Sequence, residues 1–185
     1  MKLSSLCMAG SVIAAAGMAE NQAPRPNIIY ILLDDLGWGD VGFNGQEKIK
    51  TPVLDQLAAQ GAVFNNYYTG STVCTPSRVC LLTGMHTGHS VIRNNSGWSA
   101  TRKGRGLDAD GVTVARELQQ AGYATACIGK WGLGSKQSHP LKQGFDEFWG
   151  FISHGEAHFH WPGYVWHGEE KVDLGGVKNW EEKRV

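Results

Sequence analysis

Neither sign of charge dominates this sequence: 17 Lys and Arg stand against 17 Asp and Glu, a formal net charge of zero. With no long run of like charges, the electrostatic ground for a nucleic-acid partner is missing. A membrane span is missing too. The most apolar stretch, residues 3–16, is too short and too rich in Ala, Gly and Ser to hold as a spanning helix. Internal repeats and low-complexity tracts are absent. Cysteine is sparse, with four in 185 residues. What is plentiful is glycine, 25, and tryptophan, seven, which points to long aromatic-lined loops rather than a helical bundle.

The first nineteen residues read as a cleaved signal peptide. Lys2 supplies the positive start, residues 3–16 the apolar segment, and Gly17-Met18-Ala19 the small residues before a cut at Ala19-Glu20. Leu6 stands before Cys7, where a lipoprotein signal needs a small residue. The expectation is a secreted or periplasmic protein. Residues 20–26 form a linker, and 27–185 form one domain long enough to bury a core. Cleavage leaves Cys74, Cys80 and Cys127, and an odd count in an exported protein leaves a thiol to be explained. Cys80 and Cys127 sit in apolar runs and read as buried small hydrophobes.

Residues 27–33 (NIIYILL) are continuously apolar between Pro26 and Asp34-Asp35, the pattern of a strand buried on both faces of a parallel sheet. Thr51-Pro52 predicts the start of a helix with Leu54, Leu57 and Ala58 on one face, stopped by Gly61. Residues 62–68 follow as a second strand. Pro76 opens a helix through Leu82, closed by Thr83-Gly84. Thr113 starts another, with Val114, Leu118 and Ala121 on one face, and residues 123–128 make a third strand before Gly129-Lys130. Alternating strands and helices predict an α/β fold, a three-layer sandwich on a mostly parallel sheet. Ligands of such sheets bind beyond the carboxyl ends of the strands, where Asp34-Asp35, Cys74 and Lys130 all fall on this reading.

Adjacent carboxylates repel, so a cation would keep both Asp34 and Asp35 ionised. A helix cap with a solvated acid explains the pair equally well. Cys74 at a helix start, with Arg78 one turn on, has the setting of an activated thiol. A thiol enzyme also needs a His base and its orienting partner, and the sequence names no such set.

The motif itself is more specific. Cys74-Thr75-Pro76-Ser77-Arg78 followed by Leu81-Leu82-Thr83-Gly84 resembles the signature of type I, formylglycine-dependent sulfatases of the alkaline-phosphatase-like superfamily. Pro26-Asn27-Ile28-Ile29 leading to Asp34-Asp35-Leu36-Gly37 resembles their opening strand and calcium-binding acids. Thr51-Pro52-Val53-Leu54-Asp55 and Gly122-Tyr123-Ala124-Thr125 through Gly129-Lys130-Trp131 match further family segments, so the likeness covers residues 26–166.

The resemblance implies a sulfuric ester hydrolase, arylsulfatase-like. Cys74 would be oxidised to formylglycine by a formylglycine-generating or anaerobic maturase enzyme. Its hydrate would attack sulfur beside Ca²⁺ held by Asp34, Asp35 and residue 74. Arg78 would stabilise the deprotonated hydrate, and Lys130 would bind a sulfate oxygen. The substrate would be a sulfated small molecule or sulfated glycan. Trp98, Trp149, Trp161 and Trp166 could stack on sugar rings or belong to a core.

Two departures qualify this. Many sulfatases carry His where this chain has Gly132, and His158, in a segment similar to one found in Gly-bearing members, is the expected substitute, binding sulfate or protonating the leaving oxygen. His154, His160 and His167 are ligands by type, but their spacing fits no standard zinc site. The later Asp-Asn pair of the calcium site is also missing, which implies a truncated copy or fragment. The alternatives are a phospho- or phosphonate-ester hydrolase of the same superfamily, or an inactive fragment acting at most as a binding module.

Overall fold

The computed structural model describes residues 24–90, 92–95 and 106–176, so the signal-peptide reading over 1–19 and Trp98 lie outside the described residues. The chain divides into two compact units, Met1–Leu36 and Gly37–Val185.

In the first unit, residues 27–33 form no strand. Ile29 is 85% exposed and Ile31 69%. A strand exists only as part of a ladder that pairs its backbone N–H and C=O groups. Every strand of the described sheet comes from Ala126 onward. The expectation of a buried first strand is corrected on that ground. Asp34 and Asp35 make an exposed turn, with Asp35 in the left-handed region at φ 59°, which short polar side chains tolerate.

The second unit opens with 3₁₀ turns at Trp38–Asp40 and Gly42–Asn44. Helix α1, Pro52–Gln60, begins and ends as its Thr-Pro start and Gly61 stop predict. Its first turn is tied to the preceding loop. The N–H groups of Gly42 and Phe43 donate to Thr51 Oγ1 (2.7 Å) and Asp55 Oδ1 (2.8 Å). Residues 62–68 then form turn and coil, correcting the second predicted strand for the same reason as the first. Phe64 and Tyr68 remain 76% and 81% exposed.

Helix α2 is Cys74–Thr83, ended by Gly84 in the left-handed conformation at φ 66°. It starts two residues before the predicted Pro76, because proline is accepted in a first turn, whose N–H groups have no partner within the helix. Helix α3, Val114–Gln120, is capped by Thr113, whose Oγ1 accepts from the Arg116 N–H at 3.2 Å.

Strand β1, Ala126–Lys130, pairs in parallel with β2, Glu147–Phe151. The connection between them carries two 3₁₀ turns, Lys136–Ser138 and Pro140–Lys142. Two further strands add antiparallel neighbours, β3 (Tyr164–His167) beside β2 and β4 (Glu170–Asp173) beside β3. A short helix, α4, His154–Ala157, lies between β2 and β3. The architecture is α/β, and the described sheet is mixed, with one parallel and two antiparallel pairings.

One face of that sheet carries the core. Phe148 (β2), Trp131, Leu133 and Ile152 pack with Val79 of α2, Ile92 and Leu107. Trp131 is anchored at its polar end by an Nε1–H bond to the Ser138 carbonyl, 2.8 Å, and meets Phe145 edge-on. Along β1 and β2, Gly129 and Gly150 are direct partners. A Cβ at Gly150 would overlap the Gly129 carbonyl oxygen, so only glycine lets the strands meet there. No helix among the described residues is long and apolar enough to cross a membrane.

Candidate active site

The candidate nucleophile occupies the first position of α2. Val73 before it is the helix N-cap, at φ 56° and ψ 165°, with no side-chain capping bond. A β-branched residue at positive φ is strained, and such strain concentrates where the surrounding structure must aim a neighbouring group. Cys74 therefore sits, partly exposed, at the positive end of a ten-residue helix. Asn95 holds this turn from the side. Its Oδ1 accepts from the Thr75 N–H at 2.9 Å, and its amide nitrogen lies 3.6 Å from Cys74 Sγ.

Arg78 follows one turn later on the same face, and its guanidinium donates to the backbone carbonyl of Lys130. The structure thus brings together Cys74, Arg78 and the end of β1 that carries Lys130. The same guanidinium charge acts on Cys127, pulling its pKa down against the stronger effect of burial, which pushes the thiol up to about 11. Cys127 is accordingly a protonated, packed thiol. Cys80, buried on α2, is a core side chain. Both match the apolar reading of their surroundings.

The pairing of β1 and β2 continues past the strands. The N–H groups of Trp131 and Gly132 donate to the carbonyls of Phe151 (2.9 Å) and Ile152 (3.1 Å). That brings Gly132 against the start of α4, where His154 contacts Thr75 Oγ1 through Nε2. His158, the residue expected to fill the missing histidine's role, lies at the C-terminal cap of α4. Three residues near Cys74 have no such role on sequence: Asn95, Thr75 and His154. The departure at Gly132 points on sequence to His158, and nothing in the sequence marks His154, whose contact is made across the fold.

Asp34 and Asp35, in the other unit, offer two exposed carboxylates. They suit a hard cation by donor type, but a calcium ion takes six to eight oxygens. No cluster of three or more His, Cys, Asp or Glu suited to a metal occurs among the described residues. The pair fits as part of a calcium site and does not complete one.

The profile of the family described as Sulfatase matches residues 26–174. The chain belongs to the sulfatase family. Arylsulfatase G of Rattus norvegicus is 46% identical over 132 residues, covering 71% of this chain and 24% of that protein. N-acetylgalactosamine-6-sulfatase of Mus musculus is 39% identical over 148 residues, covering 75% and 28%. Among solved structures, one in complex with its substrate D-glucosamine-2-N,6-O-disulfate superposes with a TM-score of 0.67 at 31% identity, covering 80% of this chain and 28% of that one. The chain spans about a quarter of the length of the curated sulfatases it matches.

Proposed function

We propose that this sulfatase-family chain carries the nucleophile of a site that hydrolyses a sulfate ester, with Cys74 as the precursor of formylglycine. The observation that carries the reading is the placement of Cys74 at the N-terminus of α2 with Arg78 one turn on and bonded to the Lys130 carbonyl. Formylglycine, once formed, supplies a hydrated aldehyde with one hydroxyl to attack sulfur and a second to release sulfate. The helix terminus favours negative charge at residue 74. Arg78 adds a positive charge fixed by its carbonyl contact, and Lys130 supplies an ammonium for a sulfate oxygen. His158 is the proposed proton donor to the leaving oxygen.

Asp34 and Asp35 are the residues that would contribute oxygens to Ca²⁺, an ion that when bound lowers the pKa of a hydroxyl it coordinates and offsets the charge of an anionic ester. The substrate class proposed is a sulfated sugar. A relative is named for N-acetylgalactosamine 6-sulfate hydrolysis, and a structural neighbour was solved with a sulfated glucosamine. A secreted or periplasmic location, matured by a formylglycine-generating or anaerobic maturase enzyme, completes the reading.

The test is turnover of an aryl sulfate and a 6-sulfated amino sugar by the full gene product, co-expressed with a maturase, against its Cys74→Ala variant. Sulfate release that Cys74→Ala abolishes is the expected result. Release unaffected by Cys74→Ala, or an aryl phosphate hydrolysed in preference to the sulfate, would contradict the proposal.

A further inference from the structure

A Cβ built on Gly132 would lie 2.5 Å from Cε1 and 2.9 Å from Nε2 of His154. The imidazole therefore fills the volume into which any side chain at position 132 would project. Gly132 also sits at φ 71°, a conformation that side-chain-bearing residues rarely adopt. Its carbonyl is within 3.4 Å of Thr75 Oγ1, the same hydroxyl that meets His154 Nε2. Thr75 is 1% exposed and directly follows Cys74. One buried hydroxyl thus joins the nucleophile turn, the end of β1 and α4.

The imidazole is itself held in place from behind. Ser153 and Glu156 form a reciprocal capping box at the start of α4. Glu156 is fixed in turn by Tyr164 Oη–H (2.6 Å) and Trp166 Nε1–H (3.1 Å) from β3. A four-residue helix has little stability of its own, so these bonds are what set the position of His154.

We propose that His154 is a positioning residue: it occupies the side-chain space vacated at Gly132 and, through Thr75, fixes the first turn of α2 and hence Cys74 against the end of β1. His154 acts through Thr75 rather than on substrate, which leaves the proton-donor role with His158. The relevance to sulfate hydrolysis rests on the function proposed above. The placement of Cys74 does not.

The experiment is the rate of iodoacetamide alkylation of the unconverted Cys74 thiol in the full chain, read by peptide mass spectrometry. The buried Cys80 serves as an internal gauge of global unfolding. His154→Ala is expected to raise the Cys74 rate by about fivefold, the size of one lost hydrogen bond, with Cys80 still protected. His154→Gln, whose amide can still reach the Thr75 hydroxyl, should return the rate to near that of the unaltered chain. Gly132→Ala, which displaces the imidazole, should mimic His154→Ala and add little to it in the double variant, because the two substitutions break one contact. Unchanged Cys74 reactivity in His154→Ala would overturn the proposal, as would Cys80 rising in step with Cys74, no rescue by Gln, or fully additive Gly132 and His154 effects. Turnover is scored separately. An inactive matured enzyme with the expected alkylation pattern would refute the function and leave the positioning role standing.

Discussion

Helices α1 and α2 are nearly the same length, each carries proline in its first turn, and each is followed directly by glycine. Yet α1 buries none of its residues, while α2 buries Thr75, Pro76, Val79 and Cys80. The difference lies in what surrounds them. Val79 of α2 meets Trp131, Leu133 and Phe148 within the core on one face of the sheet. Around α1 the preceding loop binds its first turn, and Val53 and Leu57 stay exposed. Local sequence sets where a helix starts and stops, and burial is set by the elements available to pack on it.

The comparison can be broken most sharply at the charged face of α2. Arg78→Ala should lower kcat of the matured protein by about 10²–10³-fold, the usual cost of removing a preorganised electrostatic donor. Gln56→Ala, on the exposed surface of α1, should leave turnover unchanged. Equal losses in a steady-state assay would mean that α2 has no special role.

Identical truncations measure the packing difference. Val79→Ala should cost about 2 kcal/mol, from two buried methyl groups and the space they leave. Val53→Ala, at a residue 68% exposed, should stay within about 0.5 kcal/mol. Urea denaturation of both variants gives the two numbers on one scale.

A third contrast is set by pH. Cys127 packs against the core that receives α2, and burial raises its pKa to about 11, outweighing the opposing pull of Arg78. In the unfolded chain the thiol ionises near its ordinary value of about 8.5. Between those values the folded state keeps a proton that the unfolded state has lost, so stability falls as pH rises through that window. The fall should reach about 3 kcal/mol by pH 11, and Cys127→Ala should remove that component of the pH dependence. A stability profile identical to that of the unaltered chain would contradict the burial argument.

The smallest effect concerns helix caps. Thr113→Ala should cost about 1 kcal/mol, because its hydroxyl satisfies the Arg116 N–H. That hydroxyl also bonds the Gln143 carbonyl at 2.6 Å. Thr113→Ser should recover most of the loss in thermal melts.

The existence of α1, α2 and α3 is legible because proline, threonine and glycine act locally, although α2 begins at Cys74 rather than Pro76. So is the third strand, although it begins at Ala126 rather than Tyr123 and runs on to Lys130. The runs at 27–33 and 62–68 looked equally like strands, but a run of Ile, Leu and Tyr encodes only the capacity to pair. Strands β3 and β4 have no such signal, because residues after 150 are rich in aromatics, His and Gly without a clear period, and β2 is a five-residue segment, Glu147–Phe151, that pairs only through contacts distant in sequence. At the site, Cys74, Arg78 and Lys130 could be named from their motifs. Asn95, Thr75 and His154 could not, because each acts through a contact with a residue at least 20 positions away.

On the function proposed above, Cys74, which follows Val73 at φ 56° and opens α2, is the precursor of the sulfatase nucleophile. Peptide mass spectrometry of the segment containing Cys74, after co-expression with a formylglycine-generating enzyme, tests it most directly. Residue 74 is expected to lose its sulfur and gain an aldehyde that reacts with a hydrazide, while Cys80 and Cys127 remain thiols. An unmodified cysteine at position 74, in a host that converts a control sulfatase, would contradict it.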